Sequence, residues 1–125
     1  MAATVAGVAA KDALGRRGED LAVEYLQRRG FVVLSRNWRC RDGELDVVAV
    51  DRTRLVVCEV KTRSGTAFGE PAEAVTRNKA ARIRRVTQAW LTEHQVRWCE
   101  IRFDVVAVLA PPGGPVTMQH YESAF

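Results

Sequence analysis

Two short segments carry the residue types that can do chemistry: Gly43-Glu44-Leu45-Asp46 and Cys58-Glu59-Val60-Lys61. Each falls in a strand-like run. Side chains alternate faces along a strand, so Glu59 and Lys61 share one face, as do Glu44 and Asp46. If the two runs pair across the short link Asp51-Arg52-Thr53, Asp46 and Glu59 converge near one point. Mg²⁺ and Mn²⁺ are hard cations, held by carboxylate oxygens, backbone carbonyls and water. Asp46 and Glu59, with the backbone of Val60, would make such a half-shell and leave room for a phosphate. A bound ion of this kind polarises a phosphoryl oxygen and makes a bound water more nucleophilic. Lys61 would orient that water or neutralise developing charge. The expected cofactor is therefore Mg²⁺ or Mn²⁺.

The plainer reading stands beside this one. A charged residue on a strand usually lies on the solvated face, and Glu59-Val60-Lys61 alone would serve as an ordinary exposed ion pair. The placement favours chemistry. Both carboxylates interrupt apolar runs, residues 45–50 and 55–60, where charge is costly unless paired or metal-bound. Glu19 borders the apolar stripe of the first helix, at spacings that allow it to reach the sheet end. It is equally readable as a solvated glutamate near a helix start.

The elements that must position these groups follow from periodicity. Residues 12–29 repeat apolar positions at helical spacing and stop at Gly30. Residues 31–34 form a short apolar strand, followed by a polar, basic stretch at 35–41 and an Asp42-Gly43 turn signal. Residues 44–50 and 55–60 read as two more strands, so the three make an antiparallel meander. A helix follows over 71–93, with Pro71 in its first turn and a stripe of Ile83, Val86, Thr87, Trp90 and Leu91. Residues 101–109 form a fourth strand. The tail after Pro115 reads as either a short edge strand or coil. Residues 1–11 are expected to be a disordered leader and 12–125 a single α/β domain, a mixed sheet flanked by helices in the order α-β-β-β-α-β.

Composition narrows the class. The 125 residues suffice for one core, and 47% of them are hydrophobic, as in an ordinary globular protein. Nineteen basic residues against fifteen acidic ones give a net charge of +4. That balance suits a polyanion, either nucleic acid or an anionic membrane surface, and equally suits simple solubility. Only Lys11, Lys61 and Lys79 are lysines. In a chain so biased to arginine, a lysine suggests a need for a compact, titratable charge, which sharpens the interest in Lys61. Three cysteines without CxxC spacing argue against a disulfide framework and against zinc. No run approaches the roughly 18 apolar residues of a membrane span, and the chain start lacks a charged secretory signal, so the expected place is the cytoplasm.

The ordered set of motifs resembles the YraN-like family and, more broadly, the PD-(D/E)xK nuclease superfamily with its restriction-endonuclease-like fold. The resemblance rests on Gly15-Arg16-Arg17-Gly18-Glu19, Arg36-Asn37-Trp38-Arg39, Gly43-Glu44-Leu45-Asp46, Glu59-Val60-Lys61-Thr62-Arg63, Phe68-Gly69 and Arg102-Phe103-Asp104-Val105-Val106. It implies that Asp46 and Glu59 are metal ligands, that Lys61 is the catalytic lysine, and that Glu19 is the helix-borne glutamate some superfamily branches add. It implies DNA as substrate, with branched or flapped structures among the expected forms. Leu45 stands where the superfamily motif has proline.

Arg63, Arg77, Lys79, Arg82, Arg36 and Arg39 are candidates for phosphate contact, and Trp38 for stacking on an unpaired base. The bland readings are a solvated basic face and a partly buried aromatic cap. Asp104 reads as a structural ion pair rather than a ligand, and His94 and His120 as ordinary surface residues. Two functions compete: a metal-dependent DNA nuclease, or a nucleic-acid-binding module that is non-catalytic or active only with a partner protein. An RNA-directed enzyme has no separate motif in its favour. Cutting both strands of a duplex takes two sites, which leaves a homodimer open. No small-molecule cofactor is expected.

Overall fold

A computed structural model describes residues 5–64 and 75–125. The elements run α1 (Val5–Arg28), β1 (Val32–Cys40), β2 (Gly43–Asp51), β3 (Arg54–Arg63), α2 (Arg77–Glu93), β4 (Ile101–Leu109) and β5 (Thr117–Tyr121). The strands form one sheet in the order β1-β2-β3-β4-β5. β3 and β4 are parallel and every other neighbouring pair is antiparallel. A parallel pair needs a crossover connection, and α2 lies in that connection.

The sheet is buried on both faces. Ala22, Val23 and Leu26 of α1 pack with Val47, Ala49, Val56, Cys58, Val106 and Val108 on one side. Ile83, Val86 and Trp90 of α2 pack with Leu45, Val48, Leu55 and Val57 on the other. This two-sided burial explains the near-continuous apolar runs of β2, β3 and β4. The mixed α/β architecture is consistent with the restriction-endonuclease-like fold.

Several boundaries differ from those expected. α1 begins at Val5, so residues 5–11, read as leader, are helical. The segment is alanine-rich and proline-free, and alanine is the best helix former. Its other end is as expected: Gly30, at φ +92°, ends the helix, and the Phe31 N–H returns to the Leu26 carbonyl at 3.0 Å. β1 runs on to Cys40 through the polar stretch, because an edge strand with half its positions exposed tolerates polar residues. α2 starts at Arg77, where Thr76 is the N-cap and accepts a hydrogen bond from the Lys79 N–H. Pro71, expected in the first turn, lies outside the described residues. The tail forms β5, paired to β4 from Val105↔Tyr121 to Leu109↔Thr117.

Candidate functional site

The site forms where regular pairing stops. The β2–β3 ladder runs from Asp51↔Arg54 to Val47↔Cys58 and no further. The next residues in register are Asp46 and Glu59. Alternation also breaks here: Leu45 lies in the core beside α2, while Val47, two residues on, lies in the core beside α1. Residues two apart should share a face, so β2 kinks at Asp46. On the β1 side, Arg36 pairs with Val47 and Trp38 with Leu45; Asn37, between them, is forced to φ +49°. The Val60 N–H would otherwise meet the β2 backbone. It donates instead to Asp46 Oδ2 at 2.8 Å. The N–H and C=O of one strand residue face the same neighbour, so the Val60 carbonyl opens onto the same gap.

Around this gap lies a cleft of about 390 Å³ lined by Glu19, Glu44, Asp46, Glu59, Val60, Lys61, Lys79 and Arg82, among others. The structure thus brings together all four residues expected to be catalytic. Glu59 is 5% exposed. Lys79 Nζ stands 3.9 Å from its Oε1, an ion-pair distance too long for a hydrogen bond. Among the described residues, nothing hydrogen-bonds Glu59 Oε2, although the atom is buried.

This shortage of partners governs the electrostatics. Burial, opposed by the Val60 N–H and reinforced by the charges of Glu19 and Glu44, pushes Asp46 up to about 6. Burial and the adjacent Asp46 carboxylate push Glu59 up to about 8, with Lys79, a hydrogen bond from the Asp46 backbone N–H and Lys61 pulling the other way. Burial lowers Lys61 from its ordinary value, and the neighbouring Lys79 lowers it further. Two buried acids pushed upward beside a lysine pushed downward are the kind of perturbation that clusters at functional sites.

The residues fit a divalent ion of the hard class. They offer two carboxylates, one with an unpartnered buried oxygen, and an outward-facing backbone carbonyl at Val60. Among the described residues, no three acidic, histidine or cysteine side chains cluster closely enough to hold a metal by themselves. Glu19 stands at the cleft wall rather than inside a three-carboxylate cage. Mg²⁺ commonly takes only one or two carboxylates and completes its shell with water and phosphate.

The other expected residues scatter. Lys79 and Arg82 line the cleft. Arg77 is exposed on the first turn of α2, and Arg63 is half-buried at the end of β3. Arg36 pairs with Asp20 of α1, and Arg39 with Glu44 at 2.7 Å. Trp38 is half-buried against the α2-side core and donates to Glu93 at 3.0 Å, as a cap would. Asp104 forms the structural pair expected of it, bidentate with Arg102 at 2.9 and 2.8 Å.

The reading of His120 as an ordinary surface residue is corrected, whereas His94 is exposed as expected. His120 has a 3%-exposed side chain and lies 2.7 Å from Asp104 Oδ2, with Tyr25 on its other nitrogen. His94 stacks on Trp90 and sits 2.8 Å from its carbonyl. His120 reaches Asp104 only because β5 pairs with β4, which spacing along the chain does not reveal. Sequence reasoning also missed the importance of Gly18. A Cβ there would fall 1.9 Å from Thr62 Oγ1, so glycine is what lets α1 approach β3 and bring Glu19 to the cleft. The signal was present in the glycine immediately before the candidate glutamate.

The model of the family described as "Uncharacterised protein family UPF0102" matches residues 18–108, a span that includes Glu19, Asp46, Glu59 and Lys61. The chain is 58% identical over 116 residues to a UPF0102 protein of Frankia alni, covering 93% of this chain and 97% of that one. It is 51% identical over 132 residues to one of Acidothermus cellulolyticus, covering 97% and 100%. It is 48% identical over 124 residues to one of Nocardia farcinica, covering 99% and 98%. Among the described residues no helix is long and apolar enough to cross a membrane.

Proposed function

We propose that this chain, which belongs to the uncharacterised protein family UPF0102, is a Mg²⁺- or Mn²⁺-dependent endonuclease that hydrolyses phosphodiester bonds in DNA, with branched and flapped structures among the candidate substrates. The observation that carries the reading is Glu59 Oε2, a carboxylate oxygen buried without a partner among the described residues, directly across a kinked strand from Asp46. A purely binding protein facing a polyanion gains nothing from two buried acids there.

Asp46 and Glu59 would hold the ion with the Val60 carbonyl. When bound, the ion supplies charge for the phosphoryl oxygen and a more acidic water. The chain does the rest. The Val60 N–H fixes the Asp46 carboxylate in one orientation, so it needs no reorganisation during turnover. Lys61, on the same face as Glu59 and destabilised as a cation by burial, is suited to orient a water and to hand over a proton. Lys79 and Arg82 give the cleft wall positive charge toward a phosphate backbone. Glu19, delivered by the tight Gly18–Thr62 contact, adds a further acceptor at the rim.

The test is cleavage of labelled single-stranded, duplex, flap and four-way-junction DNA with Mg²⁺ or Mn²⁺, comparing the native protein with Asp46→Ala and Lys61→Ala. Metal-dependent cutting should fall by about 10²-fold or more in both variants. No cutting of any DNA by folded native protein, with binding unchanged in the variants, would leave a binding module or an enzyme that needs a partner protein.

A further inference from the structure

Lys79 sits in the cleft in an arrangement that a fixed structural ion pair does not explain. Its Nζ is 3.9 Å from Glu59 Oε1, so it offsets charge without making a hydrogen bond, and among the described residues Oε2 is left unpartnered. It also shares the cleft with Lys61, a second positive charge. The lysine comes from the first turn of α2, where its own backbone N–H is tied to the Thr76 cap. The backbone is therefore fixed while the side chain is a flexible four-carbon stem ending in a compact cation. Its side chain is 25% exposed, so it reaches the cleft from solvent and can leave it the same way.

We propose that Lys79 is a resident stand-in cation for the Asp46–Glu59 pair, which a divalent metal displaces and thereby frees to bind a DNA phosphate at the cleft mouth. This rests on the metal-site reading above and adds a regulated phosphate contact to it. A monovalent ammonium and a divalent ion compete for the same carboxylates, and the divalent ion wins on charge. The released ammonium then points a positive charge at the polyanion only once the site is loaded. Arg82 lines the same cleft, but among the described residues it is Lys79 that stands at ion-pair distance from Glu59, so the pull of Arg82 on DNA does not depend on metal.

The experiment titrates Mn²⁺ into the DNA-free protein by calorimetry, using the native chain, Lys79→Met and Lys79→Gln. It then measures DNA affinity for the same proteins in EDTA and in Ca²⁺. Removing the stand-in should tighten Mn²⁺ binding at least about threefold, whereas loss of a structural contact would weaken it. Arg97→Met, which removes the same charge in the loop after α2, should leave Mn²⁺ affinity unchanged. In Ca²⁺ the Lys79 variants should lose about fivefold in DNA affinity, with a salt slope smaller by about one; in EDTA they should match the native protein. Native protein that takes up no Mn²⁺ would overturn the metal-site reading itself. Native protein that binds Mn²⁺, with Lys79 variants no tighter or with equal DNA losses in both conditions, would overturn the stand-in role alone.

Discussion

Asp104 on β4 and Glu59 on β3 stand among valines of neighbouring strands, and each has a cation within reach. Asp104 receives two hydrogen bonds from Arg102, a contact from His120 and the N–H of Ser123. Burial alone would raise it, yet those bonds carry it below the ordinary aspartate value. Glu59 has a lysine at ion-pair distance and an orphaned oxygen, and it rises to about 8. A buried acid whose oxygens are all engaged is there for the fold. A buried acid left short gains no such hold on the fold, and its charged form is penalised instead. Burial and strand position, the features visible in sequence, are common to both, so the difference lies in the partners.

The comparison breaks most readily at Asp104. Asp104→Ala strands Arg102, 6% exposed, with Asp51 and Glu122 at 3.6 Å as its remaining acidic partners among the described residues. Removing one partner of a buried pair costs about 3–5 kcal/mol, and urea unfolding should show it. A loss below about 1 kcal/mol would mean that the network is not what holds β4, β5 and α1 together. Acid gives the same answer by another route. The folded value is depressed, so the stability it confers is present above the unfolded value of about 3.9 and disappears as pH falls through the folded one.

Next comes the contact that delivers Glu19. Gly18→Ala would drive a methyl into Thr62, whose Oγ1 lies 1.9 Å from the required position. Overpacking of this kind costs about 1–3 kcal/mol. Thr62→Ala should recover most of it in the double variant, since neighbours are not additive. Failure to recover would place the strain elsewhere along α1.

How far all this was readable depends on whether the cause was local. The three-strand meander, both helices and β4 follow from periodicity. The convergence of Asp46 and Glu59 follows from the short turn at Arg52 and Thr53. The kink at Asp46 does not, because strict alternation is what a sequence reader assumes, and here it fails between Leu45 and Val47. Pro71 drew the helix start too early, although Thr76 is an ordinary N-cap type and was available. Lys79 had a signal that was only half used. Of three lysines in the chain, two, Lys61 and Lys79, meet in one cleft.

A smaller effect separates the two acids by sign. Glu59→Gln keeps the shape and removes the poorly compensated charge, so the metal-free protein at pH 8 should gain a few degrees in Tm, roughly 1 kcal/mol. Asp46 and Glu59 are raised on folding. Their contribution is fully present below their unfolded values near 4 and is lost as pH rises through about 6 and about 8. Native protein should therefore lose stability across that window, the variant less so, and Mn²⁺ should restore the native protein alone. This is opposite in direction to the acid loss at Asp104, and a flat native profile between pH 5 and 9 would remove the contrast.

The smallest effect tests whether distance alone carries the distinction. Arg39 and Glu44 pair at 2.7 Å on the rim of the cleft, as short as the Arg102–Asp104 contact of 2.8 Å. The side chain of Arg39 is 80% exposed and that of Arg102 only 6%. In water the pair gives up nearly as much hydration and side-chain freedom as it gains, and salt screens the remainder. Arg39→Ala should leave Tm unchanged within the precision of a thermal melt at physiological salt, despite losing a bond of the same length. A clear drop would mean that this edge of β1 and β2 braces the kink at Asp46, and that the site is held open from its exposed side as well as from α1.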